Sequence, residues 1–188
     1  MKYFLLFFTS LFLTHTLISQ DVVIGGWKDH LSYRSAVSIT EGNGKVYCAT
    51  KSGIFVFNKG DNSMETLSKV NGLSEVEAVV VNYNPFINKL LIAYKNANID
   101  LIQNNVISNI GDLERKSIIG NKSINNIYFI NQFAYLSCGF GVVVIDMDKE
   151  EVKDTYYIGP NGNPINVLDI TSDGTSFFAA TEGGIYKA

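Results

Sequence analysis

The feature that most constrains this chain is that it repeats itself. Lys45–Asn58 (KVYCATKSGIFVFN), Lys89–Gln103 (KLLIAYKNANIDLIQ), Phe133–Asp146 (FAYLSCGFGVVVID) and Ser176–Ala188 (SFFAATEGGIYKA) align around one turn residue each: Gly53, Asn98, Gly141 and Gly184. These anchors stand 45, 43 and 43 residues apart. Gly and Asn accept positive φ more readily than other residues, so the anchor column has a physical reason. One step after the anchors stand Ile54, Ile99, Val142 and Ile185, and five steps before them Cys48, Ala93, Leu136 and Ala179, all able to be buried. A fixed period of this length marks a chain built from units that bury their faces against one another.

Each copy lies between two more strand signals. Upstream are AVSIT (Ala36–Thr40), VEAVVVN (Val76–Asn82), INNIYFI (Ile124–Ile130) and INVLDIT (Ile165–Thr171). Downstream are the more polar METLSKV (Met64–Val70), VISNI (Val106–Ile110) and VKDTYYI (Val152–Ile158). The apolar runs are short, rich in Val, Ile, Phe and Tyr, and broken by Gly, Asn and Asp, with no helix-length 3.6 pattern. Four strands per repeat match a β-propeller blade. A β-sandwich also has evenly spaced strands, but the agreement of the four copies favours the propeller. The chain lacks the WD dipeptide, and its period is too short for Kelch repeats.

The expected fold is therefore all-β, a partial propeller of about three and a half four-stranded blades in an open arc. The blades fall at about 36–75, 76–123, 124–164 and 165–188. Second and third strands should be buried between blades, with the fourth outermost. Blade four reaches Ala188 within its third strand, so the chain reads as a fragment. An uncovered apolar face and unpaired edges should make it aggregation-prone. Val22–Trp27 reads as a strand that would pair with the last blade of a closed ring.

Residues 1–19 read as a signal peptide: Lys2, an apolar run from Tyr3 to Leu13, then a small-residue exit with cleavage after Ser19. The run is shorter than a membrane span requires, and nothing later could cross a bilayer. The exported domain is then 20–188. No cysteine stands at the new end to carry a lipid anchor.

Composition narrows the chemistry. A formal net charge of −3 argues against a nucleic-acid partner. Hydrophobic residues at 46% and charged ones at 18% indicate a folded chain. Asp29 and His30 are adjacent, which on an extended chain points them to opposite faces, so they do not make two thirds of a hydrolytic triad. Cys48 and Cys138 belong to blades that are not neighbours and read as buried free thiols. The acidic run Asp146–Glu151 lacks the spacing of a calcium loop and reads as a solvated hairpin tip. Asn121-Lys122-Ser123 fits the glycosylation pattern, a frequent chance match. No catalytic, cofactor or metal residue is assigned, and the chain reads as a non-enzyme.

One stretch resembles a known family. Trp27–Glu77 is similar to the N-terminal propeller of PorZ-type proteins of the type IX secretion machinery of Bacteroidetes. Its most specific piece is W-x-D-H-L-S-Y, comprising Trp27, Asp29, His30, Leu31, Ser32 and Tyr33. K-V-N-G-L-S (Lys69–Ser74) follows and is shared with propellers of two-component sensors, and Ala93–Ile102 resembles the family's second blade. The resemblance implies a surface-exposed, outer-membrane-associated component working with proteins like PorU, PorV and PorQ, with anionic lipopolysaccharide as a candidate ligand. It implies two propellers and a small β-sandwich in the whole protein, and supplies no catalytic motif. A periplasmic sensor propeller is the alternative function, and a propeller enzyme a third.

Overall fold

A computed structural model describes residues 31–188. Blade one runs β1 (Ala36–Gly42), β2 (Lys45–Thr50), β3 (Gly53–Asn58), β4 (Met64–Leu67); blade two runs β5 (Ala78–Asn84), β6 (Lys89–Tyr94), β7 (Ile99–Gln103), β8 (Val106–Ile110). Blade three runs β9 (Ile124–Ile130), β10 (Phe133–Cys138), β11 (Gly141–Asp146), β12 (Glu151–Tyr156); blade four runs β13 (Val167–Ser172), β14 (Phe177–Thr181), β15 (Gly184–Lys187). A one-turn helix, α1 (Asp112–Arg115), lies in the connection between blades two and three. The strands form four separate antiparallel sheets, each in simple sequence order. Among the described residues no helix is long and apolar enough to cross a membrane.

The sheets stack face to face in chain order. First strands of successive blades touch one another, β1 on β5, β5 on β9 and β9 on β13, so they line the inner side of the arc. Blades one and four do not pack on each other, and the described sheets form no closed ring. Side chains along a strand alternate between two faces, so each blade turns one set to its predecessor and the other to its successor. The residue after each anchor faces forward: Ile54 packs with blade two, Ile99 with blade three and Val142 with blade four.

The other aligned column needs a correction in blade two. In the remaining blades the second strand meets the anchor directly, as Thr50↔Gly53, Cys138↔Gly141 and Thr181↔Gly184. In blade two Ala93 pairs with Ile99, and the turn holds three residues, Lys95, Asn96 and Ala97, between Tyr94 and Asn98. The positive φ (67°) falls on Ala97, and Asn98 is not left-handed. The extra residue shifts the strand by one, and a shift of one exchanges faces. The equivalent of Cys48, Leu136 and Ala179 is thus Ile92, packed toward blade one, while Ala93 faces blade three.

Polar side chains tie the inner strands together. Ser38 Oγ accepts from Val81 N at 3.1 Å and Thr40 Oγ1 from Tyr83 N at 3.1 Å. Asn82 Nδ2 donates to the Ile127 carbonyl at 2.9 Å, and Asn84 Nδ2 to that of Asn131 at 2.7 Å. Asn125 Nδ2 donates to the Val167 carbonyl at 2.6 Å and Asn126 Nδ2 to Asp169 Oδ1 at 2.7 Å. First strands have no sheet partner on the inner side, so all of these bonds but the Asn126–Asp169 pair satisfy backbone groups that a sheet interior would otherwise pair.

Two expectations about side chains also change. Both cysteines are free, but Cys48 is only half-buried, because among the described residues no sheet packs on its face of blade one. The Asp146–Glu151 turn is solvated from Asp148 onward, as expected, but its base is tied to blade two. Asp146 and Met147 are buried, and Lys89 Nζ of blade two donates to the Met147 carbonyl at 2.7 Å and to Glu150 Oε1 at 3.0 Å. Burial raises the Glu150 carboxyl, but hydrogen bonds from Lys89 and Ser108 outweigh it and hold the group below its ordinary value.

Candidate functional site

In four antiparallel strands, the connection between blades and the hairpin of strands two and three lie at the same end. At this end of the arc the blade-one connection begins with Ser68, whose Oγ accepts from Val70 N at 3.3 Å while Asn71 Oδ1 accepts from Ser68 N at 3.0 Å. This reciprocal cap closes a short 3₁₀ turn, Lys69–Asn71, ended by Gly72 at φ 106°. Leu73 then plugs into the interface of blades one and two, 3% exposed. The K-V-N-G-L-S stretch is thus a blade connector with a physical role for three successive residues: cap closure at Asn71, left-handed backbone at Gly72, core insertion at Leu73.

Ser74 completes the connector by gripping a buried acid. Asp100 is fully buried, two residues beyond the blade-two anchor, where the other blades carry Phe55, Val143 and Tyr186. Its carboxylate accepts from Ser74 N at 2.8 Å, Ser74 Oγ at 2.7 Å, Tyr94 Oη at 2.7 Å and Asn109 Nδ2 at 2.9 Å. Four donors on one carboxylate offset its removal from water, which an unpartnered charge could not survive. Burial, then the hydrogen bond and negative charge of Asp100, hold the Tyr94 hydroxyl protonated far above the ordinary tyrosine range. Above this knot lies an open cleft of about 420 Å³ rimmed by Glu75, Glu77 and Lys95, with Lys95 Nζ paired to Glu77 at 2.8 Å. The cleft is open, and its charges are already paired, Glu77 with Lys95 and Glu75 with Lys69.

A second cleft, about 450 Å³, opens between blades three and four. Its walls are aromatic and aliphatic: Tyr135, Tyr156, Ile158, Phe177 and Tyr186. The Tyr135 and Phe177 rings lie 4.8 Å apart, centroid to centroid. Among the described residues no group of three His, Cys, Asp or Glu could hold a metal ion.

The motif residues named from sequence divide. Trp27, Asp29 and His30 lie outside the described residues, as do the signal peptide and Val22–Trp27. Leu31 and Ser32 are exposed, and Tyr33 is half-buried with its ring against the Gly53 turn. Gly53, Gly141 and Gly184 all have positive φ, at 153°, 153° and 116°. Gly53 also lies so close to the fourth strand that a Cβ there would sit 2.5 Å from the Leu67 carbonyl oxygen. The Asp100 knot and the inner-strand asparagines were missed. Their signals were a lone Asp in an apolar run (Ile99-Asp100-Leu101-Ile102) and recurring Asn or Ser/Thr on the first strands.

The family described as TSS9, PorZ, N-terminal beta-propeller domain matches residues 46–188. The chain belongs to this family. No curated protein matches it. Among solved structures it is similar to PorZ of Porphyromonas gingivalis, a surface component of the type IX secretion system, with a TM-score of 0.75 and 21% identity. That likeness covers 84% of this chain and 21% of PorZ, so the chain spans about a fifth of that protein's length. It is also similar to the extracellular domain of a one-component system from B. thetaiotaomicron, TM-score 0.64 and 21% identity, covering 80% of this chain and 22% of that one. The computationally designed Ika4 protein, TM-score 0.62 and 10% identity, is covered over 94% of its length by 86% of this chain. At these identities the likenesses establish the fold alone, a β-propeller arrangement of blades.

Proposed function

We propose that this PorZ-type propeller domain is a non-enzymatic component of type IX secretion, displayed at the outer surface of the cell. In this reading it holds secretion proteins of the PorU, PorV and PorQ kind in place, and anionic lipopolysaccharide is its candidate ligand. The observation that carries the reading is the family match over residues 46–188. The architecture is in keeping with it: stacked antiparallel sheets whose first strands are tied by side-chain hydrogen bonds, with a capped connector after blade one. An affinity-tagged copy in its native host should recover secretion components or lipopolysaccharide from outer-membrane fractions, and deleting the gene should stop secretion of cargo. Recovery of neither, with normal cargo secretion, would overturn it.

A second reading rests on the likeness to a sensor's extracellular domain and on the Lys69–Ser74 connector. There the propeller would detect a ligand in the periplasm. Deletion would then change transcription of a small gene set and leave cargo secretion untouched.

A further inference from the structure

Three Asn-Gly steps occur in the chain, Asn43-Gly44, Asn71-Gly72 and Asn161-Gly162, and all three asparagines are exposed. Such a step is prone to close on itself, because glycine has no Cβ to hinder the attack of its nitrogen on the asparagine side chain. Exposure does not separate the three sites, but hydrogen bonding does. Asn43 and Gly44 form the β1–β2 turn with φ of 49° and 72°, the mirror-image turn that Asn-Gly favours. Among the described residues neither the Asn43 side chain nor the Gly44 N–H has a hydrogen-bond partner. The space where a Gly44 side chain would stand is open, and Lys59 N donates to the Gly44 carbonyl at 2.9 Å. At the second site, Gly162 N donates to the Gly159 carbonyl at 3.0 Å, which ties the attacking nitrogen. At Asn71 both reacting groups are engaged. Its Oδ1 accepts from Ser68 N at 3.0 Å and Ser68 Oγ at 3.2 Å, and Gly72 N donates to the Lys69 carbonyl at 3.2 Å.

We propose that Asn43 is a site of spontaneous covalent modification, losing its amide through a cyclic imide, and that the fold ranks the sites Asn43, Asn161, Asn71 from fastest to slowest. Hydroxide takes the Gly44 N–H proton, and the nitrogen attacks Asn43 Cγ. The new bond forms as Cγ–Nδ2 breaks, and the amide nitrogen leaves as ammonia with a proton from water, which restores the hydroxide. Water then adds across either ring carbonyl and opens the imide to aspartate or isoaspartate. Ring closure requires the turn to open, and an exposed hairpin tip opens at smaller cost than a packed connector. Opening at Asn71 must break its cap and disturb Leu73, which is 3% exposed. Each conversion adds one negative charge. Isoaspartate also adds a methylene to a two-residue turn whose length fixes the β1–β2 register. The modification therefore marks the hairpin end of blade one and spares the blade-one connector. The inference does not depend on the secretion reading, since it concerns the chemistry of the chain itself.

The test holds the full chain folded in mildly alkaline buffer and follows each Asn-Gly step by peptide mass mapping. A carboxyl methyltransferase specific for isoaspartate supplies a second readout. Asn43 should convert about tenfold faster than Asn71, the factor by which a closed cap disfavours the open turn. Asn161 should fall between them. In urea the three rates should converge, because the steps share the same two residues and differ only in the fold. Asn43→Gln lengthens the side chain by one methylene, disfavours the ring and should remove the modified species at this tip. An Asn43 that stays intact in the folded chain, an Asn71 that converts as fast, or a ranking that survives in urea would each overturn the proposal.

Discussion

Ile99 and Ile185 occupy the same step of the repeat, one residue past the anchor on a third strand, and meet opposite fates. Ile99 is fully buried between blades two and three, while Ile185 on blade four is 79% exposed. The same contrast runs through the sheets. Every residue of β6 and β11 is buried, whereas β1 exposes Val37 and Ile39 and blade four exposes Leu168. Each of these strands carries aliphatic residues in its sequence. A blade's stability thus resides in its contact with the next blade, and an apolar residue contributes only where a second sheet removes it from water.

Thiol chemistry gives the sharpest test of that contrast. Cys138 faces blade two within the interior, and burial pushes its thiol up to about 12. At pH 8 about one molecule in 10⁴ then carries the reactive thiolate. Cys48 lies on the open face of blade one and is half-buried. Labelling the native chain with a maleimide should modify Cys48 and leave Cys138 intact until denaturant is added, a difference of orders of magnitude in rate. Comparable rates would mean that blades two and three separate readily.

Truncation should show the same asymmetry in free energy. Ile99→Ala removes a side chain from the closed interface and should destabilise the chain by about 2–5 kcal/mol in urea unfolding. Ile185→Ala should change stability by less than about 0.5 kcal/mol. An equally large loss at Ile185 would show that this face is covered in solution.

The interface between blades one and two holds a fully buried carboxyl group, that of Asp100. Asp100→Ala takes the carboxylate acceptor from Ser74 and Tyr94, while Asn109 keeps Asn98 Oδ1 and the Ile99 carbonyl, and should cost about 3 kcal/mol, as for other buried charged networks broken on one side. Ser74→Ala removes one donor of four and should cost about 1 kcal/mol. If Asp100→Ala proved neutral, the connector would be held by Leu73 alone.

The smallest effect is expected between blades three and four. Ser137 is fully buried there, and its Oγ is the one buried side-chain polar atom without a hydrogen-bond partner among the described residues. Blades one, two and four carry Ala49, Ala93 and Ala180 at the paired position. Ser137→Ala should be neutral or stabilise by about 1 kcal/mol. A loss above that would indicate a hydroxyl partner, such as a bound water, in this interface.

The sequence alone determined the repeat, the strands in each unit and most turn residues, because these depend on neighbours close along the chain. A period-2 apolar run must become a strand, and a glycine held beside a fourth-strand carbonyl, as Gly53 is beside Leu67 and Gly141 beside Tyr156, marks the same step of blades one and three. The resemblance between Trp27 and Glu77 added the family, which the match over 46–188 carries independently. Tertiary structure alone decided which face each residue serves. One extra residue in the Lys95–Ala97 turn moved Ala93 to the opposite interface, and an alignment by spacing cannot see a change of face. It also decided the fate of the charges. Asp100 reads as an ordinary acid until Ser74, 26 residues earlier, and Tyr94 are brought onto it, and Glu150 reads as unpaired until Lys89 of another blade arrives. The reason is common to both cases: burial and hydrogen bonding belong to pairs of residues distant in sequence, and only the packing of one blade on the next creates those pairs.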